Sequence, residues 1–121
     1  MVKDYKELEV WQKGILLVLK VYELTKVFPK EERYALTDQI KRAAVSIPSN
    51  IAEGASRNTT KEFVQFLYIA LGSASELETQ MIIAEKLCYI KSDPILYSEI
   101  TVIRKMLNAL ITSLKRMVNS G

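Results

Sequence analysis

From Phe63 onward, apolar or small residues recur in steps of four and three without a break: Leu67, Ala70, Ala74, Leu77, Met81, Ala84 and Cys88. This spacing, about 3.5 residues, lays one apolar stripe along a helix, and the stripe requires another helix to cover it. The last part of the chain repeats the pattern in Leu96, Ile100, Ile103, Leu107, Leu110, Leu114 and Met117. Two such seams predict an all-α protein of packed antiparallel helices.

Composition narrows the reading further. A chain of 121 residues supports one domain with one core. Gly and Pro, at 4 and 3, are too few for a loop-rich β fold. Histidine is absent, which excludes Ser-His-Asp and Cys-His nucleophiles, His-based zinc sites and the Glu-x-x-His di-iron pattern. The single cysteine, Cys88, has no intrachain partner and falls on the seam, so it is expected to be a small core hydrophobe in a reducing cytosol. The opening MVKDYKELEV lacks the apolar run of a signal peptide, and no stretch approaches the ~20 apolar residues of a membrane span. A soluble, cytoplasmic protein is expected.

Four helices are predicted, at roughly 5–27, 34–54, 59–89 and 94–117. The first opens on Asp4 and Glu7, spaced as a capping box. It carries two apolar stripes. One is Leu8, Trp11, Ile15, Val18 and Tyr22; the other is Val10, Leu17, Val21, Leu24 and Phe28, offset by roughly 130°. That arc is wider than the ~100° one core requires. The second stripe, through Val10, Leu17, Val21 and Leu24, is therefore expected to meet another copy of the chain, unless loops of the same chain cover it.

Phe28-Pro29 breaks the first helix. In the second, Leu36, Ile40, Ala44, Ile47 and Ile51 face inward, and Gly54 reads as a stop signal. Pro48 lies within it and removes one helical hydrogen bond, so a kink is expected, with Ser46, Ser49 and Asn50 placed to reach freed backbone groups. The third helix starts at Thr59 with Glu62 in capping-box spacing, and its small residues from Ala70 to Ser75 mark the tightest expected helix contact. Ser92-Asp93-Pro94 starts the fourth, with Asp93 as cap, and the tail Asn119-Ser120-Gly121 is expected to fray. Short connections give an up-down-up-down four-helix bundle with a Pro-kinked second helix.

No catalytic, cofactor-binding or metal-binding residues emerge. Glu53, Glu76, Glu78 and Glu85 form no metal-ligand pattern: Glu76 and Glu78, two apart, point to different helix faces. Ser46, Ser49 and Ser56 have no base to activate them, and Glu53-Gly54-Ala55-Ser56-Arg57 lacks phosphate-loop spacing. The cations carry more information. Net charge is +3. Lys41 and Arg42 lie off the second helix's stripe, Arg57 and Lys61 follow at the next turn, and Lys115 and Arg116 make the end of the chain basic. Two readings stand: ordinary solubilising charge, or phosphate contacts multiplied by a symmetric oligomer.

Several segments resemble one bacterial family. They are Leu8-Glu9-Val10-Trp11-Gln12-Lys13, Phe28 to Thr37, Gln39 to Gly54 (with Ser-Ile-Pro-Ser-Asn-Ile-Ala-Glu-Gly, Ser46 to Gly54) and Leu71 to Gln80. The chain resembles the S23-type proteins, named for intervening sequences in 23S ribosomal RNA genes. It departs at Ala55-Ser56, where an aromatic followed by a small residue is more usual. The resemblance implies an all-α protein assembled as a ring, a homopentamer. It also implies relatedness to accessory proteins of retroelements that engage nucleic acid and a reverse transcriptase. It carries over no catalytic residue; its motif falls on Ser46, Pro48, Ser49, Asn50, Glu53 and Gly54. The expected function is a non-enzymatic homo-oligomer that binds RNA or DNA through Lys41, Arg42, Arg57, Lys61, Lys115 and Arg116, with no cofactor, membrane or small-molecule substrate. The alternative is a protein-interaction scaffold without nucleic-acid binding.

Overall fold

The computed structural model describes residues 4–120 and is all helical, with no strand among them. Four α-helices follow one another: α1 (Glu9–Thr25), α2 (Leu36–Ala55), α3 (Thr60–Lys86) and α4 (Pro94–Ser120). Short 3-10 turns at Tyr5–Glu7 and Lys30–Glu32 precede α1 and α2. Consecutive helices pack on each other, and α1 and α4 close the bundle through a less extensive contact. Cross-links between α3 and α4 show antiparallel register: Tyr68 meets Lys115, Glu78 meets Arg104 and Glu85 meets Tyr97, each step up α3 matched by a step down α4. In the Glu85–Tyr97 pair (2.8 Å), burial and then the carboxylate acceptor push the Tyr97 hydroxyl up to about 12.

The predicted seam of α3 forms the centre of the core. Phe63, Leu67, Ala70, Ala74, Leu77, Met81 and Ala84 are all buried. Its last member is not. Cys88 is exposed and adopts φ 63°, the left-handed conformation. The Tyr89 N–H donates to the Ala84 carbonyl and the Cys88 N–H to the Glu85 carbonyl, both at 2.9 Å, a Schellman ending. Helix α3 therefore stops at Lys86, before the expected 89, and the core reading of Cys88 is corrected. The α4 seam holds at Leu96, Ile100, Ile103, Leu107 and Leu114, but Ile111 is buried in place of Leu110, which is half-buried, and Met117 is exposed. A straight helix drifts by ~20° per heptad, enough to bring the next residue inward after two repeats. Instead of ending at 117, α4 continues to Ser120; Gly121 lies outside the described residues.

The caps at Thr59 and Asp93 form as expected: the Glu62 N–H donates to Thr59 Oγ1 at 3.1 Å and the Leu96 N–H to Asp93 Oδ1 at 3.0 Å. Asp4 caps as well, but what it caps is the 3-10 turn; Leu8, extended, separates that turn from α1. Gly54 is not a stop. It sits inside α2 at negative φ, and a Cβ there would lie 2.6 Å from Phe66 Cβ and 3.2 Å from the Phe63 carbonyl oxygen. Its missing side chain lets α2 approach the start of α3.

Both stripes of α1 pack within the chain, Leu8, Trp11 and Val18 of the first lying half-buried against the core. Val10, Leu17 and Val21 are buried in the core of the same chain and Leu24 is half-buried against it, so this stripe is not a surface for another copy. Gly14 lies between them, where the absent side chain admits Pro48 of α2 at 3.3 Å from an ideal Cβ. That close approach turns the Val10–Leu17 side inward. Outside are Leu16 and Leu19, 62% and 60% exposed, with Ile15 and Tyr22 beside them.

Candidate nucleic-acid interface

Helix α2 runs unbroken through Pro48, and its outward side carries the polar residues of the Ser46–Gly54 motif and the first cationic pair, while Ile47, Pro48, Ile51 and Gly54 are buried. Asp38, Lys41, Arg42, Val45, Ser46, Ser49, Asn50 and Glu53 recur at helical spacing, and together with Tyr22 of α1 they line one open groove of about 610 Å³. The polar motif residues stitch this surface to α3. Ser46 Oγ and Ser73 Oγ lie 2.8 Å apart, and the Asn50 amide donates to both Ser46 Oγ and the Ser46 carbonyl at 2.8 Å. Asn50 thus reaches a backbone carbonyl near the proline, but not the freed one that the motif reading expected. The carbonyl it meets is that of Ser46, not of Ala44, which loses its bond to Pro48. Ala43 and Ala44 of α2 and Ala70 and Ala74 of α3 are all buried, and α2 and α3 make the most extensive helix contact of the bundle.

The six candidate cations fall into two groups. Lys41 and Arg42 line the α2 groove, while Arg57, Lys61, Lys115 and Arg116 gather at the end where α3 begins and α4 finishes. Along α2, at ~1.5 Å per residue, the groups lie on the order of 20 Å apart. That is about two Debye lengths at physiological salt, so they act as separate patches. Most of them also have work within the chain. Arg42 Nε donates to Asp38 at 2.9 Å, and Arg57 lies 3.7 Å from Glu53 and 4.8 Å above the Phe66 ring. Lys41 stands 4.7 Å over Tyr22, and Lys115 donates to the Tyr68 hydroxyl at 2.9 Å. Lys61 is exposed on the first turn of α3. Phe66 and Tyr68, two residues apart, point to opposite sides of α3, so Arg57 and Lys115 flank that helix on its α2 and α4 sides.

Tyr22, Phe66 and Tyr68 are the residues a reading of charge alone misses. They act as shelves that hold Lys41, Arg57 and Lys115 over aromatic faces, each contact worth about 0.5–1 kcal/mol at an exposed site. The carboxylates weighed as metal ligands are dispersed: Glu53 pairs with Arg57, Glu78 with Arg104 at 3.0 Å and Glu85 with Tyr97. Among the described residues no helix is long and apolar enough to cross a membrane.

This architecture has solved counterparts. A crystal structure of a protein of unknown function from the S23 ribosomal protein family of Bacteroides thetaiotaomicron superposes with a TM-score of 0.77 at 27% identity, covering 84% of this chain and 97% of that one. No curated protein matches. The profile of the 23S rRNA-intervening sequence proteins matches residues 6–109, which takes in α1, α2, α3 and most of α4. The Gln39–Gly54 and Leu71–Gln80 segments that carried the resemblance lie on α2 and α3, the most extensive helix contact of this bundle, and the chain belongs to the 23S rRNA-intervening sequence protein family.

Proposed function

We propose that this chain is a non-enzymatic, cytoplasmic homo-oligomeric bundle that holds structured RNA by its phosphates, with five copies the stoichiometry implied by the family resemblance. The observation that supports it is the surface. Cationic groups flank the α2 groove and the α2–α3 end, while large apolar side chains stay exposed on α1 and α3, outside the core. One subunit offers two modest patches, each partly neutralised by Asp38 or Glu53. Repeating them around an assembly raises the potential felt by a polyanion without any new contact.

The family name supports an RNA partner, since it ties such proteins to intervening sequences of 23S ribosomal RNA genes. Binding on this basis reads charge and shape, not base sequence. Fluorescence anisotropy with a structured RNA should show affinity that falls steeply between about 50 and 200 mM salt. Replacing Lys41 and Arg42 by Glu should flatten that slope, as should replacing Arg57 and Lys61. No binding at low salt would end the RNA reading, and a single-subunit mass by light scattering would end the oligomer reading. The engagement of Arg42, Arg57 and Lys115 within the chain favours a second reading, a protein-interaction scaffold. It predicts a specific protein partner whose capture resists nuclease.

A further inference from the structure

Helix α3 is apolar on two sides. Opposite the seam that enters the core, Ile69, Gly72, Glu76, Thr79 and Ile83 repeat the four-and-three spacing on the outward side, with Leu87 just beyond. Ile69, Ile83 and Leu87 are 50%, 43% and 50% exposed, and Gly72 opens onto empty space. Among the described residues no helix covers this stripe. At its edge, Gln80 is only 7% exposed, yet its Oε1 has no hydrogen-bond donor. Gln80 and Glu76 line a groove of about 360 Å³ between α3 and α2, with Gln39 and Arg42 on the other wall. A buried acceptor beside a carboxylate calls for an N–H donor, most favourably a cationic one.

The charge at the stripe's centre selects the occupant. A two-fold contact of α3 with α3 would bring the Glu76 carboxylates of two copies together, a like-charge pair beside an Arg42 that Asp38 already holds. An uncovered apolar stripe also lies on α1, at the diagonal corner of the bundle, where Leu16 and Leu19 stand out. Beside them is Lys13, which takes part in none of the ion pairs of the described residues. We infer that the outward stripe of α3 docks on the outward stripe of α1 of a second copy, whose Lys13 supplies the donor to Glu76 and Gln80. Such a contact uses a different face on each copy, so it repeats head to tail and closes a ring when the rotation permits. The inference rests on the homo-oligomer reading and names its interface.

The test uses two variants of the full chain, Ile83→Lys on α3 and Leu19→Lys on α1, compared by light scattering and sedimentation at micromolar concentration. Both positions are exposed, so helicity by circular dichroism should match the unaltered chain; Ile83→Thr and Leu19→Gln serve where a lysine disturbs folding. Each variant alone should be a single subunit, with self-association weakened roughly hundredfold. Mixed in equal amounts, they should form a species of two subunits and no larger one, because each supplies the face the other has lost. Lys13→Glu should also weaken assembly, and adding Glu76→Lys to it should restore assembly. Should the unaltered chain assemble while both variants assemble equally well, the interface is wrong but the oligomer reading survives. Dimers of Leu19→Lys alone would show a two-fold contact and overturn the head-to-tail assignment. A monomeric unaltered chain removes both.

Discussion

Replacing Cys88 by glycine should make the bundle more stable. The residue occupies the left-handed position of the Schellman ending, at φ 63°, where a Cβ crowds the carbonyl that follows. That crowding costs about 1–2 kcal/mol, which glycine removes. Glycine also widens the unfolded ensemble, giving back about 0.4–1 kcal/mol. Because Cys88 is exposed, its thiol contributes no buried area to be lost. The net expectation is a gain of about 1 kcal/mol. With an unfolding entropy of about 2.1 cal/mol/K per residue, this raises the melting temperature by about 4 °C. Thermal unfolding followed by circular dichroism at one fixed protein concentration measures it, since assembly couples to stability. Cys88→Ala is the control: it loses the thiol but keeps the Cβ, and should shift the midpoint little. A Cys88→Gly chain no more stable than the Cys88→Ala one would refute the strain argument.

Gly54→Ala should lose about 1–3 kcal/mol in chemical denaturation, because a Cβ 2.6 Å from Phe66 Cβ and 3.2 Å from the Phe63 carbonyl oxygen forces α2 and α3 apart. Ser46→Ala should cost about 1–2 kcal/mol, and adding Ser73→Ala should cost little more, since one hydroxyl serves both Ser73 and Asn50. Tyr97 should titrate near 12 by ultraviolet absorbance, and Glu85→Gln should bring it back toward the ordinary value by weakening the acceptor. The folded state holds that proton more tightly than the unfolded one. Its contribution to stability is therefore complete below about pH 10 and is lost as pH rises from there toward 12, which stability measured across that range will show.

The core was legible in the sequence because its signal is local to one helix. Seven consecutive seam positions of α3, Phe63 to Ala84, are buried as their spacing requires, and Thr59 and Asp93 cap the helices they precede. The failures share one cause: each depends on a neighbour that periodicity does not identify. Cys88 is in phase with the seam, but the chain has already turned out of the helix at Leu87. Gly54 resembles a terminator in isolation; only the position of Phe66 shows that it is a contact. The cations of the candidate site behave likewise. Lys41 and Lys115 look free along the chain, and the rings that hold them, Tyr22 and Tyr68, lie on other helices.

Helix α1 shows why an arc can be measured from sequence while its orientation cannot. Two apolar stripes about 130° apart serve equally well as the inward one by spacing alone, and both contain enough branched side chains to fill a core. A residue that belongs to neither stripe's hydrophobic tally sets how deep each one sits: the second is buried, while Leu8, Trp11 and Val18 of the first stay half-buried against the core. Gly14 is flanked along the helix by Val10 and Leu17, and the close approach of Pro48 is possible only over a residue without a Cβ. Once Pro48 is seated there, Val10, Leu17 and Val21 turn into the bundle, and Leu16 and Leu19 turn outward. The excess apolar surface inferred from the sequence is therefore real, but it lies on the side that the glycine turns away from the core. The same reasoning explains the Ser46–Gly54 motif. Pro48 in the family segment is an inter-helix contact first, and the groove formed by Lys41, Arg42, Ser49 and Asn50 exists because that contact fixes which side of α2 remains open.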